Sequence, residues 1–172
     1  MIDKKMLKGL NEQITKEYYS AYLYLAMAAY LETQDLPGFA KWMRIQAQEE
    51  LCHGTIMFNY ICEQGERVVL GKIDAPPATF KSLKDVWQRT LDHEKVVTAS
   101  IHNLVDISIA ERDHATKQFL EWFVSEQVEE ESTAGTWLGQ VKRGGSSEAL
   151  FMMDKEAGAR VFTAPAPLAG KL

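Results

Sequence analysis

The sequence predicts an all-α fold, a bundle of four long helices with one long crossover connection and a short fifth helix at its C-terminal end. Apolar residues recur every three or four positions along four stretches of about 27 residues, each long enough for a helix of roughly 40 Å. One connection, between the second and third stretches, is long and contains several Gly and Pro residues. No strand pattern is strong and no internal repeat is evident.

Composition agrees with a single domain that spans residues 1–172. The apolar content of 46% and the charged content of 25% are ordinary for a globular protein. A net charge of −5 argues against a nucleic-acid partner.

Cys52 and Cys62 lie too far apart on one predicted helix to bridge each other, so both are expected to be reduced core thiols. The N-terminus lacks the features of a signal peptide, and the longest nearly apolar run, residues 21–31, is too short to cross a bilayer. We therefore expect a cytoplasmic protein without a membrane partner.

The first two predicted helices are joined by a short turn. Helix A spans about residues 3–31, and the sequence Asp-Leu-Pro-Gly at 35–38 is a turn signal, with Pro37 suited to begin helix B. Helix B spans about residues 37–64 and is expected to end at Gly65. The stripe of helix A that predicts its buried face is Leu7, Leu10, Ile14, Glu17, Ala21, Tyr24, Ala28 and Leu31.

The crossover covers about residues 65–82 and lets helices B and C run parallel instead of forming a hairpin. Helix C begins near Ser82, whose hydroxyl can cap it, and helix D spans about residues 113–143. The four-helix bundle thus occupies about residues 3–143. A short fifth helix fits residues 147–161, and the prolines of the tail at 162–172 prevent its continuation.

Polar groups interrupt each of the four apolar stripes near its middle. If the helices are antiparallel in pairs, these positions meet at one level, where several carboxylates and one imidazole would repel or lack partners unless a cation joined them. No Lys or Arg occupies the four stripes at that level. Oxygen ligands with a single imidazole suit iron or manganese, and zinc can also bind. The interrupting residues are Glu17 on helix A, Glu50 and His53 on helix B, Glu94 on helix C, and Gln127 and Glu130 on helix D.

A second acidic group adjoins the first. Glu49 precedes Glu50, and Glu126 and Glu129 flank Gln127. These side chains either form a third cation position that leads away from the core or belong to a solvated acidic face, and spacing alone leaves both readings open. Tyr24 lies two turns after Glu17 on the same face, where it can hydrogen-bond a ligand, supply an electron, or simply pack in the core.

At these residues the chain resembles the bacterial non-haem ferritins. The resemblance covers essentially the whole chain: the helix lengths, the crossover, the fifth helix and the polar pattern from Glu17 to Glu130. It implies a first iron site at Glu17, Glu50 and His53. It implies a second at Glu94 and Glu130, with Glu50 bridging and Gln127 beside it. It also implies a third iron site at Glu49, Glu126, Glu129 and Glu130.

The resemblance further implies ferroxidase activity. Two Fe(II) ions bind, O2 or H2O2 takes their electrons, and Fe(III) moves to a mineral inside a homo-oligomeric shell of 24 subunits, with the fifth helix near the fourfold axes. Haem is not expected, because Leu51 stands where the related bacterioferritins have a haem-ligating Met. Two alternatives remain, a di-iron peroxidase that stores no mineral and a non-catalytic helical bundle that binds partners.

Overall fold

A computed structural model describes residues 2–169, and within that range the chain forms α-helices and no strand. The predicted all-α bundle with a short fifth helix is therefore confirmed. The elements are α1 (Lys4–Glu32), α2 (Pro37–Glu63), α3 (Leu83–Ala110), α4 (His114–Arg143), α5 (Ser147–Gly158) and a single 3₁₀ turn (Ala166–Leu168).

Local signals in the sequence begin and end these helices. The Ser82 hydroxyl accepts a hydrogen bond from the backbone N–H of Asp85, as predicted, and so caps α3. The carboxylate of Asp113 accepts from the N–H of Thr116 at the start of α4. After α2 the chain turns at Gly65, whose φ of 77° lies in the left-handed region that glycine adopts at low cost.

The crossover follows α1 from its N-terminal half towards its C-terminal end. The backbone N–H of Val69 donates to the Asn11 side chain and that of Gly71 to the Thr15 hydroxyl, and the Phe80 ring then meets the ring of Tyr30. The chain therefore returns to the end of the bundle where α2 begins. Since α3 starts from that end, it runs parallel to α2, as the sequence predicts.

The core consists of two apolar clusters separated by a polar level. One cluster includes Tyr24, Phe39 and Trp87, and the other includes Ile14 and Ile101. Between the clusters lie polar side chains that are almost wholly buried. They are Glu17, Glu50, His53, Glu94 and Gln127.

Helix α5 packs on α2 and caps its first turn. The Asp154 carboxylate accepts hydrogen bonds from the backbone N–H groups of Gly38 and Phe39, at 3.1 and 2.9 Å. The sequence predicted a fifth helix to residue 161, but α5 ends at Gly158, whose carbonyl accepts from Lys41 Nζ at 2.8 Å. The chain after Gly158 returns to α2, where Arg160 contacts Trp42 and Gln46.

Substituting Gly38→Ala is expected to destabilise the protein by about 1–3 kcal/mol, because overpacking displaces neighbouring backbone. A Cβ atom at Gly38 would lie 1.8 Å from the carbonyl oxygen of Asp154, so α5 must move. The matched control is Gly135→Ala in α4, where a Cβ meets nothing within 4 Å. That substitution is expected to stabilise its helix by roughly 0.5–1 kcal/mol. Thermal unfolding of both variants checks the opposite signs, and equal midpoints would contradict the docking role of Gly38.

The cysteine prediction is half wrong. Cys52 is buried, but Cys62 lies one turn after Phe58 on an exposed face near the end of α2, so it is not a core thiol. Within residues 2–169, no helix combines the length and apolar character that crossing a bilayer requires.

Candidate metal centre

Side chains from all four long helices converge on the polar level of the bundle. Glu17, Glu50, His53 and Glu94 are each no more than 2% exposed, and Glu130 is half-buried. The level predicted from the stripes thus exists, because each polar residue replaces an apolar one on the inward face of its helix.

A first group joins α1 and α2. His53 Nδ1 lies 3.4 Å from Glu50 Oε2 and 3.9 Å from Glu17 Oε2. One ligand atom from each of these three residues lies within 4.8 Å of the others. A single cation placed among them can contact all three.

A second group joins α2, α3 and α4. Oxygen atoms of Glu50, Glu94 and Glu130 lie within 4.8 Å of one another. Glu50 belongs to both groups, so its two oxygens can face two neighbouring cations.

Two glutamines that the sequence reading missed orient these carboxylates. Gln13 Nε2 donates to Glu17 Oε1 at 2.8 Å, and Gln46 Nε2 donates to Glu50 Oε1 at 3.0 Å and to Glu130 Oε1 at 2.8 Å. Both glutamines precede a site glutamate by four residues, a spacing that places them on the same helix face. That repeated Gln-x-x-x-Glu spacing is the signal that could have found them.

Other hydrogen bonds hold the α3 and α4 side of the level. Tyr24 donates its hydroxyl hydrogen to Glu94, and Gln127 donates its amide N–H to Glu130. Gln127 Oε1 accepts in turn from the Thr98 hydroxyl at 3.0 Å. Tyr24 and Gln127 therefore contact carboxylates of the level, and Thr98 is an additional contact to Gln127.

The pKa values of several site residues are shifted because these residues lie in a buried place where carboxylates are close together. Burial raises the pKa of Glu50 well above its usual value, and the neighbouring Glu94 and Glu17 raise it further. Burial likewise raises the pKa of Glu130 well above the ordinary range, with Glu94 and Glu50 adding to the effect. The pKa of Glu94 rises to about 7, chiefly through burial. Burial alone would lower the pKa of His53, but the surrounding carboxylates outweigh it and raise that pKa.

Two buried atoms at this level have no hydrogen-bond partner among the described residues, namely Glu17 Oε2 and His53 Nε2. Buried polar atoms in native proteins are normally paired. These two atoms, a carboxylate oxygen and an imidazole nitrogen, are ligand types for a transition-metal ion.

The outer acidic group, for which the spacing leaves a third cation position and a solvated acidic face open, is only partly assembled. Glu126 comes within 4.8 Å of His53 and Glu130, with 3.9 Å between His53 Nε2 and Glu126 Oε1. Glu129 is exposed and lines the rim of a small cavity of 30 Å³ beside them. Glu49 is instead paired with Arg160, which is supplied by the segment after α5 and not by any of the four stripes.

Comparisons with known proteins agree with this geometry. Residues 7–144 match the ferritin-like domain family. The chain is 40% identical over 163 residues to a bacterial non-heme ferritin of Staphylococcus aureus, covering 94% of this chain and 98% of that protein. A Staphylococcus epidermidis protein of the same description is also 40% identical, with the same coverage.

Solved structures of Archaeoglobus fulgidus ferritin share the fold. A variant engineered into a closed form has a TM-score of 0.93 and 44% identity, over 95% of this chain and 100% of the other. The open-pore form has a TM-score of 0.92 and 43% identity, over 94% and 100%. The helix order, the converging carboxylates and these matches together show that the chain belongs to the ferritin family.

Proposed function

We propose that this chain is an iron-storage subunit with ferroxidase activity, which oxidises Fe(II) at a di-iron centre inside each subunit. The observation that carries the proposal is the convergence of four carboxylates and one imidazole at one buried level. Glu17, Glu50 and His53 would bind the first ion, and Glu94 and Glu130 the second, with Glu50 shared between them. The distances within each group support this division.

Charge balance favours two cations. Glu17, Glu50, Glu94 and Glu130 carry four negative charges when ionised, and two divalent ions neutralise them. A single divalent ion would leave two buried carboxylates uncompensated, which is costly. The raised pKa values of Glu50 and Glu130 indicate how strongly the metal-free protein resists holding these charges together.

Two ions also suit the redox chemistry. Each Fe(II) gives up one electron, so a pair reduces O2 with two protons to H2O2, or reduces H2O2 with two protons to two water molecules. Hard carboxylate ligands favour Fe(III) over Fe(II). Tyr24 and Gln127 would position the second-site carboxylates through the hydrogen bonds described above.

Storage requires that oxidised iron leave the centre for an enclosed space. We infer a homo-oligomeric shell of 24 subunits in which ferric oxyhydroxide accumulates. Family membership and the likeness to ferritins of known structure support a shell and iron storage. The outer carboxylates Glu49, Glu126 and Glu129, with Glu130, would offer a third iron position on the way out of the centre.

The test is anaerobic titration with Fe(II) followed by exposure to O2, on protein whose assembly mass is measured first. We expect about two tightly held Fe(II) per chain, rapid oxidation at stoichiometric loading, and mineral growth at higher loading in a particle of about 24 chains.

Two results would contradict the proposal in different ways. Rapid oxidation in a small particle that accumulates no mineral would indicate a di-iron peroxidase instead. Oxidation no faster than in buffer, without stoichiometric Fe(II) binding, would leave a non-catalytic helical bundle.

A further inference from the structure

Arg160 lies just beyond the end of α5 and reaches back to the outer side of the centre. Its Nη2 atom lies 2.5 Å from Glu49 Oε2, and its Nη1 atom donates to Gln46 Oε1 at 3.0 Å. The guanidinium carbon stacks over the Trp42 ring, 4.1 Å from the ring centroid. Arginine suits this setting because its planar cation can stack and donate in a fork at once.

The outer position that Arg160 borders differs from a solvated acidic surface, because it includes a buried imidazole nitrogen and a small cavity. The imidazole of His53 is 2% exposed, and its Nε2 atom lacks a partner among residues 2–169 while facing Glu126. Glu49, Glu126, Glu129, Glu130 and Arg160 all line the same 30 Å³ cavity. That volume holds about one water-sized particle, so a metal ion bound there would lie close to the Arg160 guanidinium. Two like charges at such a distance repel, which disfavours holding both cations at the Glu49 carboxylate.

We propose that Arg160 is an intramolecular counter-cation, which occupies Glu49 when no metal is bound at the outer position and is displaced from Glu49 when a metal binds. This inference rests on the proposed function, because it assigns a regulator to the third iron position. Arg160 sets the affinity of that position, and through Arg160 the segment after α5 responds to its occupancy.

The contacts explain how the exchange is reversible. Glu49 lies on α2 within a rigid helix, whereas Arg160 lies two residues after the last helical residue of α5. When a cation takes Glu49, the guanidinium retains the Trp42 ring and the Gln46 amide as partners. It therefore stays close enough to return once iron leaves.

The same arginine also acts on the inner centre, as a positioning residue. By donating to Gln46 Oε1, Arg160 fixes the orientation of that amide, so Gln46 Nε2 must point towards the carboxylates. Gln46 Nε2 then bridges Glu50 and Glu130. Arg160 therefore links the outer position to two carboxylates of the inner centre through the amide of Gln46.

The experiment measures the binding of Tb(III). This ion is a hard trivalent probe, and its luminescence is sensitised by nearby tryptophans such as Trp42. The full assembly is titrated as the parent protein, as Arg160→Gln and as the matched control Arg143→Gln, an exposed arginine at the end of α4. We expect Arg160→Gln to bind the outer Tb(III) roughly 10-fold more tightly than the parent. A factor of this size is expected because Tb(III) no longer has to break the charge-assisted hydrogen bond between Arg160 and Glu49. Arg143→Gln should match the parent.

Two further variants separate competition from a structural effect. Arg160→Lys keeps the positive charge and should return the affinity most of the way to that of the parent. Adding Glu49→Gln to Arg160→Gln should abolish the gain, because the contested ligand is gone. An outer affinity in Arg160→Gln that is unchanged or weaker than in the parent would overturn the inference.

The inner sites report separately on the proposed function. In the same titration, Glu50→Gln should lower the binding of the first two Tb(III) ions per chain. If it does not, the proposed di-iron centre is overturned and the inference falls with it. If those ions bind as expected but Arg160→Gln matches the parent, only the role of Arg160 is overturned.

Discussion

The Glu50→Gln variant is expected to lose at least about 100-fold of the rate of rapid Fe(II) oxidation, since removing even an outer partner of a metal site commonly costs 10–100-fold. Glu50 is the one carboxylate that belongs to both inner groups. The amide has nearly the same shape as the carboxylate and can still accept the hydrogen bond from Gln46. The substitution therefore removes a shared anionic ligand with little change in packing.

The same variant should be as stable as the parent without metal, or more stable by up to roughly 1 kcal/mol, because neutralising one member of a buried like-charged group relieves repulsion. Activity is then lost without a loss of stability, which a general folding defect cannot produce. Stopped-flow oxidation and thermal unfolding of the metal-free protein measure the two effects.

The matched control is Glu63→Gln, an exposed glutamate at the end of α2. It should oxidise Fe(II) like the parent. Retention of the fast phase in Glu50→Gln would remove Glu50 from the centre, whatever its distances to other carboxylates.

The inner residues were within reach of sequence reasoning because each lies at a predictable position on a long helix. A stripe of period 3.6 fixes which side chains face inward, so an interrupting Glu17 or Glu94 is expected at the interior. The structure brings the polar residues that interrupt the four stripes together at one level. Gln13 and Gln46 lie four residues before Glu17 and Glu50, but a neutral amide at an inward position can be satisfied by an ordinary hydrogen bond, so its spacing alone does not indicate a metal site.

Arg160 could not be predicted in the same way. It lies beyond a helix end, where no periodicity constrains direction, and it contacts Glu49 across more than a hundred residues of chain. Helix α5 ends at Gly158, where a Cβ atom would lie 3.1 Å from Gly38 Cα, so the end of α5 packs closely on the start of α2 and Arg160 follows within two residues. Contacts of this kind depend on tertiary packing, and local propensity carries no information about them.

Loading the metal-free protein with a redox-inert divalent ion such as Zn(II) is expected to raise its unfolding temperature. An ion held at 100 times its dissociation constant adds about 2.7 kcal/mol per site to the stability of the native state. For a chain of this length that corresponds to an increase of roughly 5–10 °C. Scanning calorimetry of chelator-treated and Zn(II)-loaded protein measures the difference.

The increase in unfolding temperature should depend on Glu50, the carboxylate shared by the two inner groups, because the metal-free centre destabilises the protein. There Glu17 Oε2 and His53 Nε2, which have no hydrogen-bond partner within residues 2–169, lie beside carboxyls whose pKa values are raised by burial and by one another. A bound ion supplies the missing partner and the missing positive charge together. Glu50→Gln should therefore lose most of the increase, whereas Glu63→Gln should keep it. Equal increases in unfolding temperature for the parent, Glu50→Gln and Glu63→Gln would mean that the stabilising ion binds outside the bundle interior. An ion bound at the polar level would lose affinity when the carboxylate that both inner groups share is replaced.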